Sequence, residues 1–583
     1  MIKNTSMPAI ERQSGSLSHR QRAQLWDSIF LLLLAIFFLV FLLYPIGYVV
    51  RGALGLQTES GLTLELFQLL WRNTNYRMAT LNSLAIGLSV VGLTSLIALM
   101  LALPMSRYAF RGKGMLSALM LVPMILPPFV GAIGVRQFLT RYGSLNLLLM
   151  RLGVIDGQQP IDWLGEYRFW GVVLLESLHL YPILYLNILA ALTNVDATLE
   201  EAAQNLGARS WRLFRTITFP LILPGYFAGA IIVFIWAFTD LGTPLIFGYR
   251  EVVPVKIFDM VNEAESNPIG YALVLMVLFI TAVVFALSRW ATKTRVAMAG
   301  ERGGPASRER PAGTLRAVAI YALMISVTLV AVIPHLGVFL KSTAARWSIS
   351  ILPEEYTARY YSLVFRHPIS MSSIRISLVL SLLSTAADLV LGFLIAYYLT
   401  RKRIRGRALL DIMAMLPLAL PGIILAFGYI TCFADVPLLD PRKNPILLLV
   451  VGYCVRRLPF TVRAAVAGFE QTSVTFEEAS ANLGARPLTT MRRISIPLIF
   501  PNLVAGGVLA FAFAMLEVSE SLMLAFQRKF YPIAKAIYTM VGRIDDGPFI
   551  ASAMGMLGMA LLVICFVLAS RFLGRRLGEV FRL

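Results

Sequence analysis

Two stretches decide how this 583-residue chain is read: Glu200 to Gly225, EEAAQNLGARSWRLFRTITFPLILPG, and Glu477 to Asn502, EEASANLGARPLTTMRRISIPLIFPN. Glu201, Ala202, Gly207, Ile217, Pro220 and Pro224 recur as Glu478, Ala479, Gly484, Ile494, Pro497 and Pro501 at one constant spacing of 277 residues. Each stretch begins polar and runs into a long apolar segment. A duplicated chain that keeps the same polar loop in both halves is expected to offer matching docking points to a two-fold symmetric partner.

Around these loops the composition dictates a membrane protein. The chain is 58% hydrophobic and 14% charged, with a mean hydropathy of +0.73, too apolar for a soluble globular protein of this length. A helix needs roughly 20 apolar residues to cross the hydrocarbon core. Twelve stretches qualify: 28–50, 80–103, 115–135, 169–192, 221–246, 269–290, 315–340, 374–399, 409–432, 445–466, 499–526 and 549–572. Six fall in each half, so the repeats are parallel and not inverted. The expected fold is an all-α membrane protein of about 12 transmembrane helices in two parallel six-helix repeats.

The domain limits follow. A tail covers residues 1–27, a first half 28–290 with its loop at 198–220, a linker 291–314, a second half 315–573 with its loop at 475–497, and a tail 574–583. The linker is rich in Gly, Pro, Arg and Glu and lacks apolar periodicity. The first span follows a polar tail and is too long for a signal-peptide core, which predicts an uncleaved anchor.

The formal charge of +20 has its home at the helix ends. Arg107, Arg111 and Lys113 follow the second span, and Arg401, Lys402, Arg403, Arg405 and Arg407 follow the eighth. The positive-inside rule places both clusters in the cytosol, and with them both repeated loops. No nucleic-acid partner is needed to explain the charge. Membrane lipid is the expected surrounding. Cys432, Cys454 and Cys565 are scattered in or beside spans and give neither a disulfide framework nor metal-ligand spacing.

The repeat reaches further. Pro123 and Pro127 match Pro417 and Pro421 at a spacing of 294, and prolines four apart predict a kinked or broken helix in the third and ninth spans. The fall from 294 to 277 gives the first half 17 more residues in the outward loop 140–166, either a contact for an external partner or a tolerated insertion.

Within each loop, Thr198 and Thr475 stand three residues before Glu201 and Glu478, a capping-box pattern. Gly207 and Gly484 sit where a left-handed residue ends a helix. Pro487 suits the first turn of a second helix, which is expected to stop at Pro497 before the next span. The product is a helix-turn-helix at the membrane surface. Capping alone would account for the glutamates, but not for the joint repetition of Glu-Ala, the later Gly and Ile-x-x-Pro.

At these residues the chain resembles the inner-membrane permeases of binding-protein-dependent ATP-binding-cassette importers, whose motif is EAA, three residues, G, nine residues, then I-x-x-P. Ala203 completes the first copy, whereas Ser480 departs from the motif in the second. The resemblance implies a type I importer permease fold, residence in the bacterial cytoplasmic membrane, and coupling to an ATPase through Glu201, Ala202, Gly207, Glu478, Ala479 and Gly484. Two weaker signals, Asp240–Pro244 and Arg456–Phe460, resemble the ferric-iron-type branch, in which both halves are often fused. The partners so implied are a homodimeric nucleotide-binding ATPase subunit and an extracytoplasmic substrate-binding protein.

The single Gly-Lys pair, Gly112–Lys113, is followed by Gly114 and lacks phosphate-cradling spacing. The chain is therefore expected to be no enzyme, to have no catalytic residues and to bind no cofactor, with ATP and magnesium on the partner. Ionisable groups inside spans default to functional hypotheses. Glu176 and His179 share a helix face in the fourth span, and His179 matches Arg456 in the tenth; Asp240 matches Glu517, with Glu520 three residues on. They either line the central pathway or gate, or form interhelical polar pairs. Arg456 and Arg457 are adjacent and are not expected to share a face; one would face the pathway, the other a carboxylate or headgroups. A basic lining would suit an anion or an anion-bound ferric complex. His19, His179, His335 and His367 are dispersed, so no metal site is expected. The resemblance thus points to an importer of ferric iron, with phosphonate, sugar phosphate or polyamine as alternative cargo and a proton-coupled secondary transporter as the alternative class.

Overall fold

The computed structural model describes residues 19–56, 61–125, 127–165, 168–261, 267–299 and 309–573. Residues 1–18, 300–308 and 574–583, which include most of the first tail, part of the linker and the whole last tail, lie outside the described residues.

The first half begins with α1 (Asp27–Ala53) and α2 (Thr74–Arg107). Then come α3 (Lys113–Leu119) and α4 (Pro128–Leu139), the two arms of the third span, followed by the short α5 (Ser144–Arg151) and by α6 (Phe169–Thr193). The loop helix α7 (Ala197–Asn205) precedes α8 (Trp211–Thr239), α9 (Gly242–Phe247), α10 (Val253–Met260) and α11 (Ile269–Ala299). The second half repeats the order with α12 (Thr314–Ser342), α13 (Pro368–Arg401), α14 (Arg407–Ala419), α15 (Gly422–Cys432) and α16 (Ile446–Glu470). It ends with the loop helix α17 (Thr475–Asn482), α18 (Pro487–Met515), α19 (Ser519–Leu524), α20 (Ile533–Val541) and α21 (Gly547–Leu573).

Nine helices among the described residues are long and apolar enough to cross a membrane, and eleven result if each of two bent pairs is one span. The twelfth expected span is α16. Every 18-residue stretch of it contains Arg456, Arg457 and Arg463, yet it packs against α13 and α18 as α6 packs against α2 and α8. The bent pairs are the third and ninth spans, turned by 85° and 100°. Their breaks fall at Pro127 and Pro421, both in extended backbone, and Leu420 ahead of Pro421 is extended too, as a residue before proline tends to be. Pro417 stays inside α14, and Pro123 lies in a 3₁₀ turn.

The fifth and eleventh spans differ from expectation at both ends. Stretches 221–246 and 499–526 do not form single helices. Each helix starts about ten residues earlier, inside the loop, and stops at Thr239 or Met515. The early start rests on a π turn at Phe214–Thr218, repeated at Met491–Ser495, where the N–H of Phe219 or Ile496 reaches back five residues. Pro220 and Pro497 follow directly; they lack the N–H that would continue the i−4 ladder, and the widened turn carries the helix through. The expected second loop helix ending at Pro497 is therefore the start of the span itself.

The first helix of each half packs on the other half: α1 on α15, and α12 on α4. Both crossings are glycine contacts. A Cβ on Gly337 would stand 2.7 Å from the Gly134 Cα, and one on Gly428 would stand 2.9 Å from the Pro45 Cβ. Gly337→Val should therefore force α12 away from α4 at a cost of about 1–3 kcal/mol, read as a lower thermal midpoint of the detergent-solubilised protein. The segment ahead of each swapped helix is tied down as well. Strand β1 (Tyr108–Ala109) pairs in parallel with β2 (Arg310–Pro311), and Lys113 Nζ lies 2.8 Å from Glu309 Oε1. In the other half Asp27 accepts from Tyr398 Oη at 2.7 Å and from Lys402 Nζ at 2.9 Å.

Candidate functional site

The repeated loops are built alike. In the first, α7 ends in a Schellman motif: Ala208 N–H donates to Ala203 O and Gly207 N–H to Gln204 O, both at 2.9 Å, with Gly207 at φ +88°. In the second, Ala485 N–H donates to Ser480 O at 3.1 Å and Gly484 N–H to Ala481 O at 2.9 Å, with Gly484 at φ +80°. The expected roles of both glycines hold. The expected capping boxes do not. Asp196 is the N-cap of α7 and accepts from Thr198 N–H at 2.9 Å, while α17 has no side-chain cap and Ser473 Oγ accepts from Thr475 N–H at 3.3 Å. Glu201 and Glu478 are thus free of the capping role and lie exposed.

The glutamates that hold the loops are their neighbours, Glu200 and Glu477. Glu200 Oε1 accepts from Arg107 at 3.0 Å and from Thr218 Oγ1 at 2.5 Å. Glu477 pairs with Arg401 Nε at 3.3 Å and accepts from Ser495 Oγ at 2.9 Å. Arg107 and Arg401 end α2 and α13, and Thr218 and Ser495 belong to the two π turns. Each loop is therefore pinned to the end of one core helix and to the base of another. Sequence reasoning read Arg107 and Arg401 only as charge at the helix ends and gave Glu200 and Glu477 no role, although the doubled Glu-Glu and both arginines obey the repeat spacings. The Arg401–Glu477 pair has side chains 10% and 13% exposed, against 36% and 18% for Arg107–Glu200. Less screening makes the second pair the stronger. Glu477→Gln should consequently lower the thermal midpoint of the detergent-solubilised protein more than Glu200→Gln.

Held this way, each loop turns apolar side chains outward. Leu206 is 90% exposed and Leu483 89%, with Leu199, Trp211, Phe476 and Leu488 exposed around them at matching positions.

At the far ends of α8 and α18 lies a second repeated constellation. Asp240 Oδ1 and Oδ2 accept from the N–H groups of Gly242 (3.3 Å) and Thr243 (2.9 Å) and so start α9. Glu517, at the matching position, stands just ahead of α19. The Asp240 bonds break the fifth span, where a carboxylate in an apolar run is satisfied by opening a new helix N-terminus, and the eleventh span breaks at the matching place. The two break loops touch across the halves, since a Cβ on Gly242 would lie 3.1 Å from Val518 Cγ1.

The walls of the two loops differ. Glu176 accepts from Thr243 Oγ1 at 2.8 Å, whereas His179 is not its partner and meets Pro123 O through Nδ1 at 3.1 Å. In the second half Arg456 reaches Glu517 Oε1 at 2.5 Å and Arg457 reaches Glu517 Oε2. The expectation that the adjacent arginines serve different faces is overturned. Their long side chains converge on the two oxygens of one carboxylate, a fork geometry open to arginine. Glu520 is fully buried with neither carboxylate oxygen hydrogen-bonded, against Gly452. The basic lining anticipated from the arginine pair is thereby neutralised. No group of three or more His, Cys, Asp or Glu side chains among the described residues could hold a metal ion.

Paired, pinned surface loops joined by unbroken helices to a buried polar centre define a membrane transport subunit. The chain matches the family described as binding-protein-dependent transport system inner membrane component over residues 94–295 and 388–579, and it belongs to that family. It carries the family's domain twice and is a multi-pass inner-membrane protein. It is 26% identical over 469 residues to the ferric transport system permease protein FbpB of Actinobacillus pleuropneumoniae, a match covering 78% of this chain and 65% of that protein. It is 27% identical over 431 residues to the putative ferric transport system permease protein FbpB 1 of Haemophilus influenzae, covering 72% and 65%. The molybdenum transport system permease protein ModB of Haemophilus influenzae is 28% identical over 219 residues, 36% of this chain and 91% of that protein. The matches to the two ferric-transport relatives thus span less than two thirds of those proteins' lengths.

Proposed function

We propose that the chain is the whole transmembrane pathway of an ATP-driven ferric-iron importer, worked by a separate cytosolic ATPase dimer and supplied by an extracytoplasmic binding protein. The observation that carries this reading is the continuity of α8 and α18. Each 29-residue helix begins in a docking loop and ends at a break loop. At 1.5 Å per residue each rod is about 43 Å long. A push on the paired loops therefore arrives at Asp240 and Glu517 without crossing a flexible joint.

Glu201, Glu478 and the exposed leucines around Gly207 and Gly484 face the ATPase in this reading. ATP and magnesium sit on that partner, because this chain lacks a phosphate-cradling loop. ATP-driven closure of the ATPase dimer draws the two loops together and rocks one half against the other, which opens the break loops; hydrolysis resets them. Glu176, His179, Asp240, Arg456, Arg457, Glu517 and Glu520 form the gate and its walls. The prolines at the third- and ninth-span breaks shape the path beside them.

Two things support ferric iron as cargo. Two relatives matched over most of this chain are named as ferric transport permeases. In the buried centre both arginines are bound to Glu517 with Glu520 beside them, which leaves neither guanidinium free to hold an anion. The relative named for molybdenum transport is matched over 36% of this chain, and molybdenum carried as its oxyanion is the competing cargo. Reconstitution with the co-purifying ATPase and binding protein decides between them. Ferric-loaded binding protein should stimulate ATP hydrolysis and uptake at least tenfold over molybdate or a polyamine. Stimulation by another ligand alone would discard iron, and the lack of any associated ATPase would discard the importer.

A further inference from the structure

Arg457 sits between two kinds of carboxylate. It is bound to Glu517, which belongs to the break loop before α19, and the neighbouring Glu520 belongs to the same segment. Across the contact of α13 with α16 stands Asp388, near the middle of α13 and 0% exposed; one turn further along both helices a Cβ on Gly392 would lie 2.5 Å from Thr461 Oγ1. Neither Asp388 oxygen has a hydrogen-bond partner, with the Cys454 thiol as the polar group beside it, and Arg457 lies within its electrostatic reach. Arg457 Nε is likewise buried without a hydrogen-bond partner. A buried carboxyl without a donor and a buried guanidinium with a spare donor are each costly, so their joint presence calls for a cause.

The packing supplies one. Asp388 and Arg457 lie on α13 and α16, two helices packed along one another in the core of the second half. Glu517 lies on the segment that the proposed gate must move. When that loop departs, Arg457 loses its partner in a medium where an unpaired charge is prohibitive. Arg456 loses the same carboxylate, so Arg457 cannot turn to a neighbour on its own helix. The first half has no such arrangement, since Thr94 and Leu180 stand at the positions matching Asp388 and Arg457.

We infer that Asp388 is the second seat of Arg457, taking its guanidinium when the Glu517 loop opens and giving it back on closure. Asp388 is then a positioning residue: it touches no cargo, and it sets how readily the gate leaves its closed state. The arrangement has two discrete ion pairs sharing one arginine, the kind of bistable element that converts a pull on α18 into an all-or-none opening. The inference rests on the moving break loop proposed above, but not on the identity of the cargo.

The test uses the full chain with its co-purifying ATPase in vesicles and Val518→Cys as reporter. Labelling by a membrane-impermeant thiol reagent is read at position 518 by mass spectrometry, with and without ATP. ATP should raise labelling in the otherwise unsubstituted chain. Asp388→Asn should cut that rise at least fivefold, and Asp388→Glu, which restores the charge, should retain most of it. Arg457→Gln combined with Asp388→Asn should be no worse than Arg457→Gln alone. An Asp388→Asn chain that labels like its parent overturns the relay, as does equal damage by the Asn and Glu variants, which would mark a packing role. Absence of any ATP-driven rise in the parent overturns the moving loop and the relay together. A normal rise without iron uptake overturns only the cargo.

Discussion

Replacing both loop glycines, Gly207→Val with Gly484→Val, should abolish ATP-driven transport while leaving the chain in the membrane at close to its usual amount. Both residues hold a left-handed backbone, at φ +88° and +80°, and nothing lies within 4 Å of where a Cβ would be. The obstacle is therefore the backbone alone. A left-handed conformation costs an L-residue roughly 1–2 kcal/mol and a β-branched one more. That cost is met most easily by unwinding the Schellman turn, which would swing Leu206 and Leu483 out of register with the docking surface. The longer parts of α8 and α18 lie beyond the π turns and keep their packing. Gly→Ala at the same sites keeps the strain but adds no branch, and should reduce transport less. Uptake measured in vesicles beside ATPase co-purification decides the matter: loss of uptake with reduced co-purification is expected, and full uptake by the double Val variant would remove the loops from the mechanism.

These loops were legible in the sequence because they are polar, repeated and bounded by residues with strong backbone demands. Gly207 and Gly484 announce a helix end, and a constant spacing of 277 announces that both copies matter. The breaks of the third and ninth spans were legible for the same reason, since Pro127 and Pro421 admit few conformations. What could not be read were features set by partners distant in sequence. Asp240 and Glu517 sit in runs apolar enough to pass as continuous helix, and only the bonds of Asp240 to the next residues' N–H groups and of Glu517 to two arginines of another helix mark the breaks. Glu200 and Glu477 adjoin the motif glutamates and were overshadowed by them; their role depends on Arg107 and Arg401, about 93 and 76 residues earlier. The convergence of Arg456 and Arg457 ran against helix geometry at the level of Cβ directions, and holds because guanidinium groups reach far beyond their Cβ atoms.

That convergence makes Glu517→Gln the substitution with the largest expected effect on stability. Glu517 is 5% exposed and holds both arginines, whose side chains are 18% and 12% exposed. Removing its charge leaves two guanidinium groups in a low-dielectric interior with only Glu520 and Asp388 nearby, and breaking a buried pair from one side typically costs about 3–5 kcal/mol. The protein should unfold at a clearly lower temperature in detergent and accumulate poorly in the membrane. Asp240→Asn, at the matching position of the first half, should cost much less, because Asp240 holds no arginine among the described residues and an Asn carbonyl still accepts from one of the Gly242 and Thr243 N–H groups. The charge argument also predicts a rescue. Adding Arg456→Met and Arg457→Leu to Glu517→Gln removes the stranded cations, and an apolar replacement of a buried ionic cluster is commonly neutral or stabilising. The triple variant should therefore regain thermal stability without regaining transport, since the break loop is then held by packing and has no ion pair to exchange. An unchanged unfolding temperature for Glu517→Gln would show that the cluster is solvated, and a triple variant no more stable than the single one would show that Glu517 acts through its packing ahead of α19 rather than through the arginines.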